Sequence, residues 1–178
     1  MAGTRVYRVV RGLSVVLVLW VGSSAVEAAD RFWVAGGLGL GFGQAEYVSV
    51  SAVAGYFVTP KFTPGGRIFF RSRHDTRYER DVKTSDYGAG IFARYFVKKP
   101  FYLHAEYEHL NYEFVQFDGG TDHDTFNSLL FGGGAGTKFS KHGYFYGSLL
   151  YNFSYDDSDL RSPYTSPWVF RLGIGFII

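Results

Sequence analysis

The sequence predicts an all-β fold: an eight-stranded antiparallel up-and-down transmembrane β-barrel. In eight successive segments, large apolar side chains recur at every second residue, which is the period of a β-strand. The connections between these segments alternate between short and long, as in barrels whose strands run up and down across a membrane. Glycine and other small residues occupy many of the intervening positions, so one face of each strand is bulky and the other is nearly bare.

The composition excludes several other classes of protein. Of the 178 residues, 47% are hydrophobic, 20% aromatic and only 19% charged, yet no segment beyond the N-terminus stays apolar for long enough to form a membrane helix. The 23 glycines show no collagen period. Cysteine is absent, so we expect no disulfide scaffold, thiolate metal site or cysteine nucleophile.

Residues 1–28 have the pattern of a cleaved secretory signal peptide. Arg5, Arg8 and Arg11 precede a short apolar run, and small residues ending at Ala28 follow it. The run is shorter than the roughly 18 residues that an uncleaved anchor needs. We therefore expect cleavage after Ala28 and a mature barrel over 29–178. That mature chain has no net formal charge, and nothing in it resembles a nucleic-acid-binding protein.

The alternation of residues predicts the strands in order. The first four are expected over 32–42, 48–58, 67–73 and 86–97, with a Pro/Gly-containing break at 59–66 before the third. The last four are expected over 103–108, 128–136, 144–153 and 168–178, with tight turns at 98–100 and 140–143. Longer, charged connections are expected near 74–84, 116–124 and 156–166, whereas the first connection on that side, near 43–46, is short.

The bulky face has two interpretations. In a soluble sandwich it would pack against a second sheet, whereas in a small transmembrane barrel it contacts lipid, and closure of the sheet leaves no unpaired edge in the hydrocarbon. We favour the barrel, because the outward apolar surface would otherwise form a large exposed patch. Aromatic residues near predicted strand ends are expected at headgroup level, namely Tyr47, Tyr56, Tyr87, Tyr95, Tyr102, Tyr112, Tyr155 and Trp168.

The closing segment is similar to the C-terminal strand that the outer-membrane assembly machinery recognises. Its alternating residues are Trp168, Phe170, Leu172, Ile174, Phe176 and Ile178. With the signal peptide and the eight strands, the whole mature chain resembles the small eight-stranded outer-membrane barrels typified by OmpA and OmpX. That family commonly ends in Phe, whereas here two isoleucines follow Phe176. The resemblance implies a Gram-negative outer membrane, with its lipid, lipopolysaccharide and assembly machinery as partners, but no particular activity.

The inner face carries charged residues that we expect to pair, because an eight-stranded interior is only wide enough to be filled by side chains. Strand pairing places Arg94 near His104, and Arg67 within reach of Glu106 across Phe92. The network is either a polar plug that closes the barrel, which we favour, or a gate for water or small ions. Its predicted members are Arg67, Arg71, Arg94, His104, Glu106, Glu108, Lys138 and Arg171, with Arg73 and Asp86 as further inner-face charges.

Two groups of polar residues, around His109 and around His123, are candidate chemical sites. His109 shares the outward phase of Tyr107, but the His-x-Ser-Asn motif of lipid A deacylases is not matched, because Asn111 stands where the serine would be. The acidic cluster that includes His123 does not have the spacing of an EF-hand, and we expect a solvated loop. Loop residues that could contact lipopolysaccharide phosphates or a cation are Arg73, Arg77, Arg80, Lys83, Asp118, Asp122 and Asp124.

The sequence therefore predicts an integral outer-membrane barrel without catalytic activity, cofactor or metal. Its expected role is structural or in surface interaction, with an extracellular ligand as a further partner. A narrow pore for water, ions or small solutes is the main alternative, and a lipid A-modifying enzyme is the third.

Overall fold

The computed structural model describes residues 31–41, 45–75, 82–115, 121–156, 158 and 162–178. The predicted signal peptide lies outside these residues. Eight strands follow one another along the chain: β1 (Phe32–Gly41), β2 (Ala45–Tyr56), β3 (Phe62–Asp75), β4 (Val82–Lys98), β5 (Phe101–Val115), β6 (Thr121–Lys138), β7 (Gly143–Asn152) and β8 (Trp168–Ile177).

The strands form one closed antiparallel barrel. Each strand pairs with the next along the chain, and β1 closes the sheet by pairing with β8, where Trp33 lies opposite Ile177. The predicted all-β, eight-stranded, up-and-down barrel is thereby confirmed. No described segment is a helix long and apolar enough to cross a membrane.

The two ends of the barrel differ. At the turn end, the connections 57–61, 99–100 and 139–142 are short, and the chain enters β1 and leaves β8 there. At the loop end lie the connections 42–44, 76–81, 116–120 and 153–167. β4, β5 and β6 have 17, 15 and 18 residues, against 10 in β1, β7 and β8. One wall of the barrel is therefore taller than the other.

The alternation of the sequence maps onto the two faces of this sheet. Outward positions carry exposed apolar side chains such as Ile68 and Ile91, which are 64% and 69% exposed. Inward positions carry buried rings and buried charged groups. The predicted C-terminal signal follows the same rule: Trp168, Leu172, Ile174, Phe176 and Ile178 are exposed, and Phe170 is half-buried.

Inward glycines make room for inward aromatic rings. Gly55, for example, lies directly opposite Trp33 in the β1–β2 pair, and a Cβ on it would be 2.5 Å from the indole ring. The rings therefore lie against bare backbone, which fills the narrow interior without overpacking. The other cross-strand pairs of this kind are Gly41–Tyr47, Gly65–Phe92, Gly88–Phe69, Gly134–Tyr102, Gly173–Tyr146 and Gly175–Tyr144.

Two strands, β3 and β6, begin earlier in the structure than the sequence predicts. The segment 62–66 belongs to β3 rather than to a break, because Pro64 lies beyond the last β2 pair, Gly55–Gly65, and faces only β4. A proline is tolerated where one neighbour is missing, since it has no N–H to donate. β6 begins at Thr121, within the predicted loop 116–124.

The expectation that all strand-end aromatics lie at headgroup level is wrong for three of them, and an eighth, Tyr155, is half-buried against the interior aromatic cluster. Tyr56, Tyr87, Tyr95 and Trp168 do point outward and are exposed. Tyr47, Tyr102 and Tyr112 instead lie inside the barrel, 6%, 3% and 3% exposed. Their phase explains this, because Tyr102 and Tyr112 stand at the same even positions of β5 as the buried Glu106 and Glu108.

Candidate functional site

A charged cluster fills the middle of the barrel. Its acidic centre is Glu106 and Glu108, consecutive inward residues of β5, both 2% exposed or less. Arg67 and Arg71 approach them from β3, and Arg171 crosses the interior from β8. The strand period produces this arrangement, because residues two apart on one strand point to the same side.

Glu106 pairs with two guanidinium groups and a histidine. Arg67 donates from Nη1 to its Oε1 at 3.3 Å, and Arg171 donates from Nη1 to its Oε2. The His104 Nε2 lies 3.0 Å from the same Oε2. Arg94 donates from Nε to the Nδ1 of His104 at 3.1 Å, so Nδ1 is an acceptor and the proton of the imidazole is on Nε2, which donates to Glu106.

Glu108 accepts more hydrogen bonds than Glu106 does. Its Oε2 accepts from Arg67 Nη1 at 2.9 Å and from Arg171 Nη2 at 3.1 Å. Its Oε1 accepts from Arg71 Nη2 at 3.4 Å and from the hydroxyl of Tyr164. Two carboxylates thus share three arginines, so removal of either carboxylate would leave guanidinium charge buried and unpaired.

Tyr164 comes from the connection between β7 and β8 and is 2% exposed. Besides donating to Glu108, its hydroxyl accepts a hydrogen bond from Arg71 Nη2 at 2.8 Å. The guanidinium carbon of Arg71 lies 4.7 Å from the Tyr164 ring centroid and 4.2 Å from that of Tyr47. Tyr164 therefore covers the charged cluster on the side that faces the loop end. Sequence reasoning missed it, because it lies in a connection without alternation.

Gly90 lets the β3 and β5 charges meet. In the register, Gly90 of β4 lies between Arg67 of β3 and Glu108 of β5. A Cβ on Gly90 would be 2.9 Å from Oε1 of Glu106. The predicted contact between Arg67 and Glu106 is present, but it passes over Gly90. Phe92 lies opposite Glu106 in the register, and its ring packs over Gly65 instead.

Little space is left in this part of the interior. A void of about 10 Å³ remains among side chains that include Arg67, His104, Glu106 and Arg171. That is roughly the volume a single water molecule requires. The described side chains of the cluster therefore leave little free space at this level.

The fold is similar to that of known outer-membrane barrel proteins. The N-terminal β-barrel domain of Pseudomonas aeruginosa OprF aligns with a TM-score of 0.55 at 15% identity, covering 84% of this chain and 98% of that domain. Neisserial surface protein A aligns with a TM-score of 0.55 at 13% identity, covering 83% of this chain and 97% of that one. The chain has the fold of the small eight-stranded outer-membrane barrels. No protein-family model and no curated protein matches it.

In this outer-membrane-type barrel, a second ion pair lies nearer the loop end. Arg73 Nε is 3.3 Å from Asp86 Oδ2, and both side chains are buried. Arg73 also donates from Nη2 to the carbonyl oxygen of Glu113 at 2.5 Å. Arg73 is therefore an interior residue, and the interpretation of it as a loop contact is wrong, because β3 continues to Asp75 and keeps residue 73 in the inward phase.

The barrel places Lys138 apart from the central cluster. Lys138 ends β6 at the turn end and is exposed, lining the mouth of a cavity that lies between the cluster and that end. Its inclusion in the network is wrong: its inward phase is correct, but β6 extends to the rim of the barrel, and its last inward residue reaches water.

The predicted loop contacts occupy different places. Lys83 is exposed on β4, and Asp122 and Asp124 are exposed on β6, so these two aspartates belong to a strand and not to a loop. Arg77, Arg80 and Asp118 lie outside the described residues. Within the described part of the chain, no group of three or more His and acidic side chains could hold a metal ion.

His109 is exposed on the outer face of β5. Its Nδ1 lies 2.7 Å from Oδ1 of Asn127, the residue opposite it on β6. Both partners belong to the same hydrogen-bonded sheet, and Asn127 is not a nucleophile. The arrangement is that of a polar cross-strand pair.

Proposed function

We propose that the mature chain is an integral outer-membrane protein with a structural or surface-interaction role and a side-chain-filled interior. The distribution of polarity carries this proposal. Apolar side chains cover the outside of a closed sheet while arginine and glutamate lie inside it, which is the reverse of a water-soluble protein. In lipid, such a barrel satisfies every strand N–H and C=O internally.

The taller wall supports a role at the cell surface. A strand of about 9–11 residues spans the hydrocarbon, whereas β4, β5 and β6 have 15 to 18 residues. Their extra residues extend past the lipid at the loop end, which faces outward in outer-membrane barrels. Exposed charged residues stand on this wall: Lys83, Asp122, His123 and Asp124.

A cysteine-labelling experiment tests both the membrane location and the orientation. Because the chain has no cysteine, Thr125→Cys on the tall wall and Lys141→Cys in a turn each create a single thiol at an exposed position. In intact cells, a membrane-impermeant maleimide should label Cys at position 125 and should label position 141 only after permeabilisation. Recovery of the protein from the soluble periplasmic fraction, or labelling of 141 in intact cells, would contradict the proposal.

The narrow pore is the competing function, and conductance distinguishes it. The void of about 10 Å³ at the cluster favours a blocked barrel. We therefore expect no stepwise ion conductance from the wild-type barrel in planar bilayers, and none after Glu106→Gln. Channels that open in either protein would favour the gate.

The residues around His109 on the outer face of β5 argue against an enzyme that acts on lipid. His109 is paired with Asn127, and no serine follows it at the spacing of the deacylase motif. We expect the mass of purified lipid A to stay unchanged on incubation with the folded protein. A mass loss equal to one acyl chain would reverse this conclusion.

A further inference from the structure

A second cavity lies at the turn end, below the charged cluster. Its volume is about 620 Å³, within the roughly 300–1,000 Å³ range of small-molecule sites. The walls contain six aromatic rings and come from every strand except β2 and from the first two turns. Its rings belong to Trp33, Phe57, Phe96, Tyr102, Tyr144 and Tyr146.

Arg94 stands at the inner limit of this cavity. It is only 5% exposed, and its guanidinium carbon lies 5.1, 5.2 and 4.8 Å from the ring centroids of the wall residues Trp33, Tyr102 and Tyr146. Its Nε donates to His104, but among the described residues no carboxylate pairs with it and no acceptor binds its two terminal nitrogens. The other buried arginines of the described residues, Arg67, Arg71, Arg73 and Arg171, each pair with a carboxylate.

The charged residues in the described lining of the cavity are all cationic. Arg31, Lys99 and Lys138 line it in addition to Arg94, and the described lining includes no Asp or Glu. The exposed Lys99 and Lys138 lie where the cavity meets solvent at the turn end. An anion entering from that end is therefore attracted at the rim and meets a buried guanidinium at the bottom.

We propose that this cavity binds a small amphipathic anion, in which a carboxylate pairs with the terminal nitrogens of Arg94 and an apolar body lies among the aromatic rings. A planar guanidinium with two free nitrogens matches a carboxylate in bidentate geometry, and the contact is strengthened because Arg94 is buried. The rings accommodate either an aryl or an acyl body. This binding activity goes beyond the structural role proposed above and does not depend on it.

Fluorescence quenching of Trp33 tests the proposal. Trp33 is 1% exposed in the cavity wall, and in 29–178 the other tryptophan is Trp168 on the outer face. In the Trp168→Phe barrel, folded in nanodiscs of zwitterionic lipid, Trp33 is therefore the one tryptophan of 29–178, and its fluorescence reports on the cavity. The probes are 4-bromophenylacetate and 8-bromooctanoate, because bromine quenches tryptophan on contact. The two probes distinguish an aryl source from an acyl source, and their neutral amides are the controls.

We expect saturable quenching by at least one acid and about tenfold weaker binding of its amide, the factor that loss of one charge-assisted hydrogen bond gives. Arg94→Gln should weaken acid binding by a similar factor. Arg94→Lys should retain part of it, and Lys98→Gln, which removes an exposed turn-end cation outside the lining, should leave it unchanged. Folding of each variant is verified by heat-dependent gel migration.

Three results would overturn the proposal: neither acid quenches saturably, an acid and its amide bind equally, or Arg94→Gln binds as the parent does. If Arg94→Gln does not fold, the difference in affinity between acid and amide for the parent barrel still tests the proposal.

Discussion

Trp33 lies directly against Gly55 across the β1–β2 pair, and a Cβ on Gly55 would be 2.5 Å from Cε2 and Cζ2 of the indole. The indole Nε1 donates to Thr63 Oγ1 at 3.0 Å, so the ring cannot move away freely. The bare glycine thus positions a ring that forms part of the cavity wall at the turn end.

Gly55→Ala should lower the free energy of unfolding by about 1–3 kcal/mol, because the added methyl overpacks the interior against a hydrogen-bonded ring. Gly36→Ala is the matched control: Gly36 lies outward on β1 and a Cβ there has nothing within 4 Å. Urea unfolding in lipid vesicles measures both. Equal stability of the two variants would show that the Trp33 contact is not tight.

Glu106→Gln should lower the free energy of unfolding by about 3–5 kcal/mol, since it leaves the buried Arg67 and Arg171 short of negative charge. Glu46→Gln removes an exposed carboxylate at the loop end and should change stability little. The same unfolding assay applies. A Glu106→Gln barrel as stable as the wild type would argue that water or another group already compensates these arginines.

Tyr164→Phe tests the loop residue that enters the barrel. It deletes the hydroxyl shared by Glu108 and Arg71, so we expect a loss of about 1–3 kcal/mol. Tyr151→Phe, at an exposed outward position, is the control and should be neutral. Limited proteolysis provides a second measurement, because an undocked 153–167 connection should be cut faster. Unchanged stability and cleavage would place Tyr164 outside the barrel.

The hydrogen bonds of His104 predict its tautomer. Nδ1 accepts from Arg94 and Nε2 faces Glu106, so nitrogen chemical shifts in labelled protein should show the proton on Nε2. Arg94→Met, which has no hydrogen-bond donor, should loosen this preference by removing the donor to Nδ1. A proton observed on Nδ1 in the wild-type barrel would contradict the geometry.

Much of the architecture follows from local pattern. Because side chains alternate across a strand, the sequence predicts which residues of a segment share a face, and the inward placement of Arg67, Arg94, Glu106 and Arg171 follows directly. Strand boundaries are predicted wrongly where the apolar alternation is interrupted. The Pro-Gly-Gly segment at Pro64 predicts a break, although β3 begins at Phe62. The charged residues Asp122 and Asp124 predict a loop, although β6 begins at Thr121.

The sequence by itself determined the number of strands, their faces and the residues available to the interior, because these depend only on the two-residue period of extended backbone. The tertiary structure alone decided which charges meet. Register and closure place Gly90 between Arg67 and Glu108, bring Arg171 across to Glu106 and direct Tyr164 inward. They also leave Arg94 among aromatic rings, with no carboxylate of the described residues paired with it. These relations join residues up to 93 positions apart, such as Arg71 and Tyr164, so no local pattern encodes them.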